Sequence, residues 1–315
     1  MLLCTSAEVP TLLLIATLGL AAAASSQDAP SGIEARIGER LRSFRGVMGV
    51  AAKRLDTGEE INVNADTRFP TASTIKTAVM LEVFHQIAEG RLRKDQVFTL
   101  KNADKVGGSG VLTGLGAGVQ LSLADLLHLM IVVSDNTATN LLVDAVGVAN
   151  VDRRLASYGL TRTLLFRATF RDGRAEVHPE LEREFGLGMT TPREMARLME
   201  LIATGRAVDR AASDEMFTIL KQQQTRYLIP RLLPDEDAGV VVANKTGEDD
   251  EKQPDAGGAR RGVRADAAIV LNPKARYVVA IYVRQVEDAR WTVDNDALVT
   301  GADVSRLVYD YFTRR

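Results

Sequence analysis

Three short polar motifs in this sequence carry side chains that could perform acyl transfer. They are, in chain order, Ser73-Thr74-Ile75-Lys76, Ser134-Asp135-Asn136 and Lys245-Thr246-Gly247. Each motif alone is uninformative, because such short patterns arise by chance in a chain of this length. Together they supply a nucleophile, a base, a proton relay and an anion-binding group, which acyl transfer through an enzyme ester requires. The sequence therefore predicts a serine enzyme that forms a covalent intermediate.

Ser73 and Lys76 are the predicted nucleophile and base. A serine hydroxyl is a poor nucleophile until a nearby base accepts its proton, and side chains three residues apart on a helix share one face. A helix that starts at Ser73 also places the hydroxyl in the positive field of its amino terminus. Lys76 accepts a proton only when neutral, so its pKa must be lowered by burial or by Lys245. Taken alone, the pair is more often a helix cap and a solvated lysine.

The second motif lies at the junction of two apolar helices, where a turn can present polar groups to a cleft. Ser134 would relay a proton to the leaving nitrogen, and Asn136 would hold Lys76 and the substrate amide. Asp135 would point away and stabilise the turn. A plain helix cap is the alternative interpretation.

The third motif ends an apolar run that predicts a strand. Lys245 and Thr246 would bind a substrate carboxylate, and Gly247 would let a substrate backbone approach closely. An edge-strand lysine beside a turn glycine is the alternative.

Two further groups complete the predicted substrate site. The backbone N–H groups of Ser73 and Glu248 are candidates for an oxyanion hole. Arg264, on the next predicted strand, could reach the same carboxylate as Lys245. A solvated arginine is an equally simple interpretation of Arg264.

The composition fits a globular enzyme and argues against several other classes. The 315 residues include 39 Lys plus Arg against 41 Asp plus Glu, a formal net charge of −2. A nucleic-acid-binding protein should carry a basic excess, and the three His form no cluster with the spacing of metal ligands. We therefore expect no nucleic-acid partner, no metal and no cofactor.

The amino terminus has the pattern of an export signal. An apolar run over residues 11–20 precedes small residues at 21–26, which suit peptidase cleavage. No Lys or Arg precedes the run, and a buried helix is the alternative. The run is too short for a membrane span. We expect a signal peptide over residues 1–26, which would remove Cys4, and an exported protein, periplasmic or secreted, with no stable membrane span.

Apolar runs late in the chain predict strands, and the middle of the chain has helical spacing. The predicted strands cover residues 240–243, 267–271 and 277–283, after an early hairpin over 46–64 and before a final helix over 298–312. Ser122 is predicted to cap one helix, and Thr191-Pro192 to start another. Strands at both ends of the chain predict one sheet built from both termini with a helical lobe inserted between them.

The chain resembles the class A β-lactamase family, within the penicillin-binding serine enzymes. Beyond the three motifs, the resemblance includes Gly108-Ser109-Gly110-Val111-Leu112, residues 123–142, Thr190-Thr191-Pro192 and the late strands. It implies an α/β (α+β) fold with a five-stranded antiparallel sheet, flanking helices and a helical lobe, with the cleft between them. It also implies an acyl-enzyme on Ser73.

We expect one catalytic domain over residues 31–315. Its α/β part would cover about 31–70 and 212–315, and its helical lobe about 71–211. The protein should be a monomer.

One departure from the family concerns the loop that clears the acyl-enzyme. The family carries a Glu-x-x-Leu-Asn pattern, whose Glu activates the hydrolytic water. The closest local match, over residues 178–182, has His178 in place of that Glu. A second register puts Thr169 at the position instead. Neither restores the glutamate, and the family's stabilising Arg/Asp pair has no clear counterpart.

Three functions remain open at this point. The first is hydrolysis of a β-lactam amide through the Ser73 ester, with His178 and Glu182 as a substitute base pair or His178 as a plain surface residue. The second is a penicillin-binding DD-peptidase-like or esterase-like enzyme with slow deacylation, acting on peptidoglycan-like substrates. The third is a non-catalytic exported binding protein, which would not need Ser73, Lys76 or Lys245.

Overall fold

A five-stranded antiparallel sheet dominates the computed structural model, which describes residues 1–2, 32–175 and 177–314. The strands are β1 (Val47–Arg54), β2 (Glu60–Val63), β3 (Phe69–Pro70), β4 (Val97–Thr99), β5 (Gln120–Ser122), β6 (Leu164–Leu165), β7 (Gly188–Thr190), β8 (Val241–Asp250), β9 (Gly262–Asn272) and β10 (Ala275–Val286). The main sheet has the order β2-β1-β10-β9-β8. The predicted five-stranded antiparallel sheet, drawn from both ends of the chain, is confirmed.

Helices cover the sheet and form the middle of the chain. The α-helices are α1 (Gly32–Leu41), α2 (Lys76–Ala88), α3 (Leu123–Val132), α4 (Asn136–Val146), α5 (Val148–Ser157), α6 (Pro179–Phe185), α7 (Pro192–Ala203), α8 (Arg210–Lys221) and α9 (Asp296–Thr313). Helices α2 to α8 lie between the two groups of main-sheet strands in the chain, as the predicted insertion requires.

Alternation of side chains along β9 shows how the layers are arranged. Ala265, Ala267 and Ile269 pack in one core with α2, α3 and α4, whereas Ala268 and Val270 pack in a second core with α1 and α9. Successive strand residues face opposite sides of the sheet, so helices on both sides bury both faces. A strand buried on both faces reads as a continuous apolar run, which is why the sequence showed it clearly.

The predicted helix starts are confirmed by side-chain caps. The Ser122 hydroxyl accepts a hydrogen bond from the Asp125 N–H at 3.1 Å, and the Asp125 carboxylate accepts one from the Ser122 N–H at 2.8 Å. This reciprocal pair satisfies two amide groups that a helix start leaves unpaired. Thr191 caps α7 in a similar way, through the Glu194 N–H at 3.2 Å.

Strand β8 extends well beyond the predicted strand end. The sequence pattern placed Lys245-Thr246-Gly247 at the end of a strand, but β8 continues through the acidic residues to Asp250. Asp and Glu have low strand propensity. Here, pairing with β9 overrides that propensity, since Glu248 lies opposite Arg264 and Asp250 opposite Gly262. The third motif is therefore mid-strand.

The predicted export signal lies outside the described residues, apart from Met1 and Leu2. Within the ranges that the structure describes, the helices are all too short or too polar to cross a bilayer.

Candidate active site

Ser73 lies in a tight turn immediately before α2. The turn is a 3₁₀ segment, Ala72–Ile75, rather than the first turn of an α-helix as the sequence predicted. The Thr74 hydroxyl donates to the Thr71 carbonyl at 2.7 Å, and the buried Tyr282 hydroxyl of β10 donates to Thr74 Oγ1 at 2.7 Å. The sheet therefore fixes the turn, and the half-buried Ser73 side chain faces the cleft.

Lys76, the first residue of α2, is fully buried and points at the second motif. Its Nζ lies 2.7 Å from the Ser134 carbonyl oxygen, 3.1 Å from Ser134 Oγ and 2.8 Å from Asn136 Oδ1. Burial and the neighbouring Lys245 charge lower the pKa of Lys76 well below its usual value. A lysine in this state can be neutral near physiological pH, which is what a proton acceptor requires.

Lys245 approaches the same hydroxyl from β8. Its Nζ lies 3.1 Å from Ser134 Oγ and 2.7 Å from the Thr246 carbonyl oxygen, and its side chain is fully buried. Burial lowers the pKa of Lys245 to about 7, against the opposing effect of the Asp266 and Glu248 carboxylates. The Ser134 hydroxyl therefore lies between two buried amines and can pass a proton between them. We call Lys76, Ser134, Asn136 and Lys245 the amine cluster.

The turn that presents Ser134 is strained and firmly held. Ser134 has a φ of 56°, in the left-handed region, which costs a non-glycine residue about 1 kcal/mol or more. Asp135 Oδ1 accepts from the Ala138 N–H at 2.9 Å, and Oδ2 accepts from the N–H groups of Val111 and Leu112 at 2.6 and 2.9 Å. Asp135 thus points away from the amine cluster and stabilises the turn, as predicted.

Gly247 allows β8 to approach the turn that carries Ser73. A Cβ atom at this position would lie 2.8 Å from the Thr71 carbonyl oxygen and 2.9 Å from the Ser73 backbone nitrogen. Only glycine fits such close backbone contact. β8 is an edge strand of the main sheet, so its outer N–H and C=O groups can pair with an extended substrate. The two predicted oxyanion donors, Ser73 and Glu248, belong to these two adjacent segments.

Asp266, which the sequence analysis did not single out, lies behind the third motif. It is opposite Thr246 in the β8–β9 register, and its carboxyl accepts from Asn244 Nδ2 at 3.0 Å and from the Ile229 N–H at 3.1 Å. Burial raises the pKa of Asp266 to about 7. A lone Asp in an apolar strand run was a signal that could have identified it, because a buried carboxyl needs partners.

Arg264 does not line the cleft directly. Its guanidinium is 1% exposed and donates to the backbone carbonyls of Asp249, Val263 and Arg290. The Trp291 ring covers it, with the guanidinium carbon 4.5 Å from the ring centroid. The sequence correctly put Arg264 beside the third motif but gave no indication of this cover.

Thr169, and not His178, lies at the cleft that contains Ser73. Thr169 and Ser73 line the same cleft, which has a volume of about 390 Å³. Asn140 fixes Thr169, because Asn140 Oδ1 accepts from the Thr169 N–H and hydroxyl, both at 2.8 Å. The second sequence register is therefore the one that agrees with the structure. Asn140 was missed, although it follows Asn136 by one helical turn and shares its face.

The loop that carries Thr169 is anchored by a buried ion pair. Arg167 Nε lies 2.6 Å from Glu182 Oε1, and both side chains are less than one tenth exposed. The same carboxylate accepts from the N–H groups of Gly173 and Ala175. The sequence showed no clear counterpart of the family's Arg/Asp pair, but the structure provides an Arg/Glu pair in this loop. The two residues are fifteen apart in sequence, and no local pattern links them. We call residues 166–185 the cleft loop.

His178 is not among the residues that line the cleft with Ser73. Its side chain is half exposed, and its Nδ1 lies 3.4 Å from Glu180, while Glu182 is occupied by Arg167. The hypothesis that Glu182 orients the His178 imidazole was wrong, because the two face different partners. The simpler interpretation, a surface histidine beside acidic neighbours, agrees with the structure.

A serine in a turn against an edge strand, with two buried lysines around a second serine, is the arrangement that an active-serine acyl-transfer enzyme needs. A family model described as the Beta-lactamase enzyme family matches residues 32–312. The chain belongs to this family, and specifically to its class A branch.

Individual relatives cover most of the chain. β-Lactamase CARB-3 of Pseudomonas aeruginosa is 28% identical over 273 residues, covering 84% of this chain and 85% of the relative. The structure of a β-lactamase from Sphaerobacter thermophilus superposes with a TM-score of 0.75 at 28% identity, covering 90% of this chain and 98% of the other. A mutant of PBP-A, solved as an acyl-enzyme complex with penicillin G, gives a TM-score of 0.74 at 27% identity, covering 90% of this chain and 97% of the other.

Proposed function

We propose that this protein is a serine β-lactamase-type hydrolase that opens the β-lactam amide through an ester on Ser73 and releases the product slowly. The acylation half rests on one observation above others. The Nζ atoms of Lys76 and Lys245 both lie 3.1 Å from Ser134 Oγ, beside the turn that carries Ser73.

The amine cluster supplies a proton path for acylation. Neutral Lys76 accepts the Ser73 hydroxyl proton as the oxygen attacks the carbonyl carbon, and the new oxyanion faces the N–H groups of Ser73 and Glu248. The C–N bond then breaks, and the Ser134 hydroxyl donates its proton to the leaving nitrogen. Lys76 returns a proton to Ser134 across the 3.1 Å contact. Lys245, while charged, and Thr246 hold the substrate carboxylate.

The Thr169 hydroxyl cannot activate water for the second half-reaction. A general base needs a pKa near the working pH, and a threonine hydroxyl is far less acidic than a carboxylic acid. Thr169 already donates to Asn140 Oδ1. The ester on Ser73 should therefore persist.

Other carboxylates at the cleft are poorly placed for that role. Asp172 pairs with Arg167, and Asp249 lies 3.2 Å from Lys252 Nζ. Glu248 lines the cleft with Ser73, and the proposed oxyanion hole uses its backbone N–H rather than its carboxylate.

The test is a time course of penicillin G and nitrocefin turnover with intact-mass measurement of the protein. We expect rapid formation of a stoichiometric adduct and turnover limited by its decay. Ser73→Ala should form no adduct. An adduct on Ser73→Ala would disprove the assignment of the nucleophile, and fast turnover with no adduct at any time would disprove slow release.

Export and a monomeric state belong to the same proposal. The apolar run at residues 11–20 supports export. Cell fractionation with amino-terminal sequencing of the mature chain, and light scattering of the purified protein, test the two statements.

A further inference from the structure

Arg264 is a buried cation without a counter-ion among the described residues. Its guanidinium donates to three backbone carbonyls, at 3.2 Å (Asp249), 2.9 Å (Val263) and 3.2 Å (Arg290). Its Nε atom is buried without an acceptor, and no carboxylate of the described ranges lies within ion-pair distance of it. An uncompensated buried charge is costly. The group is thus ready to bind an anion.

Trp291 separates this cation from the cleft. The ring packs on the guanidinium at 4.5 Å, yet the side chain remains 58% exposed and lines the cleft that contains Ser73. Exposure of a large aromatic side chain at a cleft is common in residues that contact ligands. The Trp291 ring therefore packs on Arg264, while the exposed part of the side chain borders the cleft.

The β8–β9 register places Arg264 close to the proposed carboxylate site. Arg264 lies opposite Glu248, and cross-strand partners share a face of the sheet. Thr246, two residues before Glu248, is on that same face. An anion held by Thr246 would therefore lie on the same face as the covered guanidinium, two residues along β8 from the position opposite Arg264.

We propose that Trp291 determines the preference of this enzyme for anionic substrates, because its ring must leave Arg264 before a substrate carboxylate can pair with the guanidinium. The inference rests on the proposed function, which puts a carboxylate at Lys245 and Thr246. A ligand shifts a conformational equilibrium only by its differential affinity for the two states. A carboxylate gains an ion pair when the ring moves, and its ester gains none.

The first test compares acylation rates for benzylpenicillin and its methyl ester by intact mass. Trp291→Ala removes the cover, so the ratio of the acid rate to the ester rate should rise about fivefold, equivalent to loss of one exposed cation–π contact. Trp291→Phe keeps an aromatic cover and should leave the ratio within about twofold of wild type. Arg264→Gln with Trp291→Ala should abolish the rise, which excludes a general loosening of the cleft.

The second test uses fluorescence, because Trp291 is the single tryptophan of the chain. During acylation by the acid, its emission should shift and acrylamide quenching should increase. During acylation by the ester, both should stay constant. Equal responses to the two compounds, or an unchanged rate ratio in Trp291→Ala, would overturn the inference. No adduct with either compound on wild type would instead overturn the proposed function.

Discussion

The amine cluster and the cleft loop both contribute residues to the cleft that contains Ser73, and they differ in whether they supply a group that can accept a proton. In the amine cluster, every polar group has a partner, and two buried lysines meet at the Ser134 hydroxyl. The cleft loop is anchored by the ion pair of Arg167 and Glu182, but the residue that it places at the cleft is Thr169, which is not a general base. The cleft loop can therefore keep its fold while the release of the acyl-enzyme, which is the second chemical step, is weakened.

The largest expected effect is on the acylation rate, and it comes from a substitution in the amine cluster. Lys76→Ala removes the proton acceptor and leaves Ser134 and Asn136 without their shared donor, so the acylation rate should fall about a thousandfold. Rapid-quench mass measurement with benzylpenicillin gives this rate. Lys94→Ala, which changes an exposed lysine paired with Glu215, is the matched control and should react at the wild-type rate.

A Lys76→Ala protein that acylates within about twofold of wild type would show that another group is the base. Circular dichroism and thermal unfolding of the variant confirm that the comparison is made on folded protein.

A change in the cleft loop should have the next largest effect. Thr169→Glu places a carboxylate beside Ser73, and decay of the acyl-enzyme should accelerate about a hundredfold, the usual contribution of a general base. Thr169→Gln has nearly the same size without a base, and its adduct should decay as slowly as that of wild type. If both variants decay at the same rate, the missing carboxylate is not what limits release.

The pH dependence of acylation tests the carboxylate-binding role of Lys245. Because burial lowers the pKa of Lys245 to about 7, the charged form predominates below that pH and is lost above it. The acylation efficiency for benzylpenicillin should therefore fall as the pH rises through about 7. Lys245→Arg keeps its charge at all accessible pH values, so this alkaline decline should disappear.

The methyl ester of benzylpenicillin is the control for that profile. It has no carboxylate for Lys245 to bind, so its efficiency should not decline over the same interval. A decline that is identical for acid, ester and Lys245→Arg would assign the titration to a different group.

The smallest effect on chemistry is expected where the loop is anchored. Among the described residues, Glu182→Gln leaves the buried Arg167 with the exposed Asp172 as its acid partner, and the free energy of unfolding should fall by about 3 kcal/mol. The acylation rate should change little, because the amine cluster does not include this pair. Urea unfolding and rapid-quench acylation measure the two quantities.

His178→Ala is the matched control in the same loop, since its side chain is exposed and pairs with the exposed Glu180. We expect a change in unfolding free energy below about 0.5 kcal/mol and an unchanged adduct lifetime. A shorter or longer lifetime would restore His178 as a candidate base.

The elements that the sequence predicted well are those set by local chemistry. The capped starts of α3 and α7 follow from Ser122 and Thr191, and the apolar runs of β9 and β10 follow from burial on both faces. The end of β8 was predicted too early, because the strand pairing of Glu248 and Asp250 overrides their low propensity. Local signals are weakest where pairing with a distant segment decides the structure.

The sequence alone determined the reaction class, because the three motifs contain the side chains that acylation needs. Their order along the chain is compatible with one fold that brings them together. Which residue faces the ester was decided only by the tertiary structure. Arg167 and Glu182 set the register of the cleft loop through a contact between distant residues, and so bring Thr169 to the cleft in place of His178. The cover of Arg264 by Trp291 likewise depends on segments that meet only in the folded chain.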